Sequence, residues 1–304
     1  MKLAPELTSI LITLLVGLSS LAQADQRSAA GATRTSVDYG ELPLLLDLRD
    51  DFVTIRYTPG SLDRAARLQV AFRDLVKNLS LWTKQPRASI VYLLSREEWL
   101  RLGVASPYGF PGIMAGNRVV LPAWGDAETA KSWGGYLGGV LPSVSERDSL
   151  RGTPDADASL VASQLISEVA VARVHLSQSG IVGTEPWVDP FVAHLAVVSS
   201  WSKNKDPRKT AVAKIYSRIS QSAGGAGAYS FYDYAPGLPP EAWLWYQAQF
   251  FEGAVRLERR RGWPVIKSVI KRGSKRGGTL RAEELLARFP ELVTWQQEVF
   301  SDWR

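Results

Sequence analysis

Two histidines, His175 and His194, and no cysteine in 304 residues confine the chemistry this chain can carry. Without a thiol there is no disulfide framework, no thiolate zinc site, no iron–sulfur cluster and no cysteine nucleophile. Metal ligation would have to draw on His175 and His194 together with Glu168 and Asp189. A catalytic zinc takes three protein ligands and a water, and two ligands four residues apart on a helix are close enough to share one ion. Glu168 and His175 are instead separated by about 10.5 Å of helical rise. A displaced zinc site is therefore the alternative reading, and two histidines in packing roles the preferred one. A serine triad would need one of the same two histidines, and no Gly-x-Ser-x-Gly elbow is present. Glu97 with Glu98, Asp155 with Asp157, and Glu283 with Glu284 have the residue types of a glycosidase pair. Neighbours in a helix point apart, so these read as solvated faces.

The most informative stretch is Gln164-Leu-Ile-Ser-Glu-Val-Ala-Val-Ala-Arg-Val-His175, followed by Glu185-Pro-Trp-Val-Asp-Pro-Phe-Val-Ala-His194. Its layout resembles the active-site helix pair of the gluzincin metallopeptidases, the clan of thermolysin, aminopeptidase N and exported peptidase MA-like proteins. There one helix carries His-Glu-x-x-His, and a later one carries the third zinc ligand in Trp-Leu-x-Glu-Gly-x-Ala. Aligning the glutamate puts Ser167 and Val171 at the histidine positions; aligning Trp187 and Ala193 puts Pro190 at the third ligand. The frame is kept and the ligands are gone.

Four further pieces extend the resemblance. Tyr57-Thr-Pro-Gly60 precedes a long helix, and the strand Ile90–Leu93 precedes Arg96-Glu-Glu-Trp99. Gly112 to Pro122 resembles the sheet margin, and Tyr246-Gln-Ala-Gln-Phe-Phe251 resembles the segment whose tyrosine assists the transition state. The resemblance implies an α+β fold, a small mixed β-sheet subdomain followed by a mainly helical, zincin-like subdomain. It implies Glu168 and Tyr246 as vestigial general base and transition-state positions. It also implies a substrate-binding edge strand through Asn117, Val119 and Leu121. Serine, valine and proline cannot coordinate zinc, so the expectation is no metal cofactor and no hydrolysis by the clan's mechanism.

The elements needed to position these residues are legible from periodicity. Phe52–Tyr57 alternates as a half-buried strand, and a helix with apolar residues at mostly helical spacing runs from Ser61 to Trp82. Ala88–Leu94 is a second strand, Ser95 caps a short helix to Leu102, and Arg118–Leu121 is a third strand. The glycine-rich stretch Trp133–Gly139 argues against a stable helix, and Ser222–Ala228 reads as a connector rather than a phosphate cradle. Beyond residue 155 helices are expected over 157–176, 187–202, 208–220, 239–259, 264–272 and 281–302. Strands first and helices later favour α+β over a doubly wound sheet. The sheet half is expected over about 48–150 and the helical half over about 155–304, after a loose lead-in at 25–47.

Composition sets the remaining bounds. With 45% hydrophobic and 22% charged residues the chain has the makings of a sizeable core. Lys2, the apolar run Ile10–Leu18 and the small residues Ala22 and Ala24 read as a secretory signal over residues 1–24, with no later spanning segment. A periplasmic or secreted location is expected. The net charge of +6 concentrates between Arg256 and Arg276, where nine basic residues meet only Glu258. No nucleic-acid-binding motif accompanies them. Three functions compete: a non-catalytic gluzincin relative binding peptide or an anionic cell-envelope polymer in its cleft; a hydrolase with displaced ligands; or an envelope interaction protein using the basic, tryptophan-bearing surface from Trp243 to Arg276.

Overall fold

The computed structural model describes residues 45–84, 88–114, 118–123, 158–221, 230–235, 237–275 and 277–301, which belong to one compact unit. The expected signal peptide, most of the lead-in, Asn117, the Trp133–Gly139 stretch, Asp155, Asp157 and the Ser222–Ala228 connector lie outside the described residues.

The first half is a small mixed sheet of β1 (Leu46–Arg49), β2 (Val53–Tyr57), β3 (Ser89–Leu94), β4 (Gly112–Met114) and β5 (Arg118–Pro122), with helices α1 (Leu62–Thr83) and α2 (Arg96–Arg101). Spatial order is β1-β2-β3-β5-β4. β2, β3 and β5 run parallel, while β1 and β4 are antiparallel to their neighbours at the two edges. The period of two decides which side chains face inward. Ile55, Val91 and Val119 stand in one register row, and Tyr57, Leu93 and Leu121 in the next, all buried in the main core. On the other face Tyr92 lies between the guanidiniums of Arg56 and Arg118, at 5.8 and 5.9 Å from its ring centre.

The second half holds α3 (Ala158–Gln178), α4 (Val188–Asn204), α5 (Arg208–Ser220), α6 (Pro240–Arg261), α7 (Val265–Lys275), α8 (Ala282–Arg288) and α9 (Pro290–Ser301). Every residue of α4 from Val188 to Trp201 is buried except Asp189, so this helix runs through the core instead of along its margin. α4 packs against α3 on one side and α6 on another, and α3 in turn touches α1, β5, β3 and β4. A two-stranded parallel ribbon, β6 (Val182–Gly183) with β7 (Thr279–Leu280), ties the α3–α4 turn to the C-terminal helices. The approach there is close enough that a Cβ on Gly278, at φ +93, would stand 1.6 Å from the Gly180 carbonyl oxygen.

The α+β class and the order of halves are as expected, with four corrections. Leu46 and Asp47, read as the end of the lead-in, open the strand Leu46–Arg49. The helix expected over 281–302 is two, because Phe289 precedes Pro290 and leaves the helical region with φ −124 and ψ 75. The short strands β6 and β7 carry too few residues for periodicity to reveal. Finally, the strand holding Val119 and Leu121 is not an edge: β5 lies between β3 and β4, and the edge is β4. Among the described residues, no helix is long and apolar enough to cross a membrane.

Candidate functional site

Ser167, Glu168, Val171 and His175 sit on α3, Asp189, Pro190 and His194 on α4, and Tyr246 on α6. The packing of α3 on α4 and α4 on α6 brings these elements together. It does not turn their functional groups toward one point.

Glu168 is fully buried. Its Oε2 accepts the indole N–H of Trp201 at 2.8 Å, and its Oε1 accepts Arg208 Nη1 at 2.6 Å, with Gln164 Nε2 at 3.4 Å. Arg208 also holds Asp206 through Nε at 2.9 Å and lies over the Trp201 ring at 5.3 Å from its centre. Burial raises the Glu168 pKa to about 7, against the pull of Arg208 and the Trp201 hydrogen bond. Burial works against the charge of Arg208 as well, yet Glu168 and Asp206 together hold its pKa above the usual arginine value. The carboxylate is thus an acceptor in a buried charge network, aimed at the C-terminal end of α4.

The positions of the absent ligands are core positions. Ser167 is buried and gives its hydroxyl to the Ser163 carbonyl at 2.8 Å, Val171 is wholly enclosed, and Pro190 is buried in the first turn of α4. From Pro190 to Trp201 the helix rises about 16 Å, so the indole that holds Glu168 belongs to the opposite end of α4. The Pro190 carbonyl is engaged by His194 Nδ1 at 2.8 Å. His194 is fully buried beside Phe250, ring centres 6.2 Å apart, and burial lowers its pKa to about 4. It is therefore neutral, with Nδ1 as donor and, among the described residues, no partner for Nε2. The indole nitrogens of Trp187 and Trp295, in the neighbouring aromatic cluster around Phe231, are also buried and have no partner among the described residues.

His175 faces another element, with Nε2 3.5 Å from the hydroxyl of Thr83 at the end of α1. Asp189 accepts the Gly183 N–H at 2.5 Å and so anchors β6; burial raises its pKa. His175, His194 and Glu168 engage α1, α6 and the α4–α5 junction respectively, and among the described residues no group of three His, Asp or Glu side chains stands together.

Tyr246 is buried and donates its hydroxyl to the Ser230 carbonyl at 3.1 Å, packing edge-on against Tyr234. Burial, and to a lesser extent Asp233, raises its pKa. Among the described residues Tyr246 and Glu168 share no hydrogen-bond partner. The described residues do form an open cavity of about 650 Å³, but away from α3, lined by Arg272, Arg281, Glu283, Glu284, Ala287 and Arg288.

Sequence reasoning missed Trp201 and Arg208. A signal existed: an acid inside an otherwise apolar helix requires donors, and Asp206-Pro-Arg208 marks a helix start where a half-buried arginine can be oriented. The peptide N–H of Arg208 indeed bonds Asp206 Oδ1 at 2.9 Å. No family model, no curated protein and no solved structure matches this chain.

Proposed function

We propose that this chain is an exported, non-catalytic relative of the gluzincin peptidases that holds an extended peptide along the outer edge of its sheet. The observation that carries the reading is the place of β4: an antiparallel edge strand touching α3, the helix of Glu168. Among the described residues no strand pairs with its outer side, and Ile113 at its centre is 43% exposed. An edge of this kind offers main-chain donors and acceptors to an incoming strand, with alternate side chains supplying selectivity. Such binding needs no metal.

The state of Glu168 supports the non-catalytic part. A general base must reach the proton it removes, and this carboxylate is enclosed and already accepts two strong donors. The packed positions of Ser167, Val171 and Pro190 fit a site whose ligands were replaced by core-forming residues.

The test is a titration of the full chain with a library of unstructured peptides, followed by amide exchange. Protection of the Gly112–Met114 amides on binding, weakened by Ile113→Lys, is the expected result, since a charge at the centre of an edge strand discourages strand addition. Peptide binding that leaves those amides unchanged, or peptide cleavage at a rate lowered by Glu168→Gln, would overturn the reading.

A further inference from the structure

Three of the six arginines between Arg256 and Arg276 pair with glutamates in the fold. Arg256 pairs with Glu252 and Glu298, Arg261 with Glu291, and Arg272 with Glu284. The lysines behave differently. Lys267 on α7 and Lys203 on α4 place their ammonium groups over one indole, Trp263, at 5.0 and 5.7 Å from its ring centre. Trp263 is backed by Trp82 of α1 at 6.4 Å, nearly parallel. Among the described residues neither lysine, nor Lys77 of α1, forms a salt bridge, and Lys203 has only the neutral side-chain oxygen of Asn78. Lys77 of α1 directly precedes Asn78, whose side-chain oxygen holds the Lys203 ammonium, and burial followed by the charges of Lys267 and Lys77 lowers the Lys203 pKa.

Like charges brought together from three helices destabilise a fold unless something offsets them. Aromatic contact offsets part, since an ammonium over an indole is favourable. It does not supply the opposite charge. We propose that Lys203 and Lys267, which share the Trp263 indole, form with the neighbouring Lys77 a binding site for a compact, multiply charged phosphate group. Compactness follows from the geometry: two ammoniums share one ring, so a single group can meet both, whereas a polymer or a membrane would call for charges spread along a face. Lysine binds phosphate as a point charge without the planar geometry arginine demands. A single carboxylate would leave most of the charge unmatched, while a phosphate ester brings about two negative charges at neutral pH.

The experiment is a pyrophosphate titration of the full chain at constant ionic strength, read by tryptophan fluorescence and by NMR of the lysine side chains. Saturable binding is expected, with the Lys203 and Lys267 signals moving and the Lys203 pKa rising in the complex. Lys77→Gln and Lys267→Gln, both at exposed positions, should each weaken binding by about tenfold. Arg259→Gln, exposed on α6, should leave it within about twofold. Shifts that never saturate, equal affinity in the lysine variants, or sulfate binding as tightly as pyrophosphate would overturn the proposal. A response to anionic vesicles without one to pyrophosphate would do so too, assigning the patch to a membrane surface.

Discussion

Trp201 donates its indole N–H to the Glu168 carboxylate at 2.8 Å, and that bond joins the end of α4 to the middle of α3. With Arg208 on the other oxygen, the acid closes a network between α3, α4 and α5. A group at the position of a catalytic base thereby becomes part of the scaffold.

Replacing Trp201 by Phe keeps an aromatic ring against Phe251 but deletes the donor. We expect a stability loss of about 1–3 kcal/mol by urea denaturation. The Glu168 pKa should climb further, because the lost hydrogen bond favours the ionised form. An unchanged Glu168 titration, followed by carboxyl NMR, would contradict the network.

Glu168 and His194 act on stability in opposite senses over nearly the same pH range. The Glu168 pKa is raised from 4.5 to about 7, so the folded chain keeps a proton that the unfolded chain releases. Its contribution is full below about 4.5 and disappears as pH rises to about 7. The His194 pKa is lowered from 6.5 to about 4, so its contribution is full above 6.5 and is lost as pH falls toward about 4. Each linkage is worth about 3 kcal/mol across its window, and in the parent chain they offset. Glu168→Gln should therefore expose a loss of stability toward acid. His194→Asn, which keeps a donor for the Pro190 carbonyl, should expose a loss toward neutral pH. Denaturation midpoints measured across this range, parallel in all three chains, would contradict both assignments.

Gly278→Ala should destabilise by about 2–4 kcal/mol, combining a left-handed backbone with a collision against the backbone of Gly180. Val182 N–H donates to the Gly278 carbonyl at 2.8 Å, so its amide should exchange faster in the variant. Unaltered exchange there would mean that the β6–β7 ribbon adjusts freely.

The gluzincin layout has its own test. Ser167→His, Val171→His and Pro190→Glu combined bury three polar groups in packed positions, so the metal-free variant should be markedly less stable than the parent. If these positions keep the ligand frame, zinc should raise its thermal midpoint and leave Val171→His alone unmoved. A triple variant indifferent to zinc would remove the resemblance as a guide to this chain.

How far the sequence carried depends on how much of each feature is local. The helix Arg208–Ser220 has the bounds read from periodicity, and Ser95 accepts the Glu98 N–H in a capping box. Both follow from residues within one or two turns of each other. The β4–β5 margin is different: a short apolar run between turn residues identifies β5 as a strand, but which arm of a hairpin meets β3 is a matter of long-range pairing, and Val119 and Leu121 proved interior.

The same division holds at the candidate site. That Glu168, His175 and His194 are almost the whole stock of chemistry, and that Ser167, Val171 and Pro190 cannot hold zinc, follows from residue type alone. The direction in which each side chain faces was decided by packing. An isolated α3 would leave Glu168 solvated and ionised, whereas burying α3 against α4 removes water from it and supplies Trp201 and Arg208 in exchange. Likewise, the lysines Lys77, Lys203 and Lys267 are far apart along the chain and solvated when considered singly. Only the crossing of α1, α4 and α7 brings Lys203 and Lys267 over one indole and the α1 segment of Lys77 beside Lys203, because electrostatic interaction depends on distance in space and residue type carries no information about that.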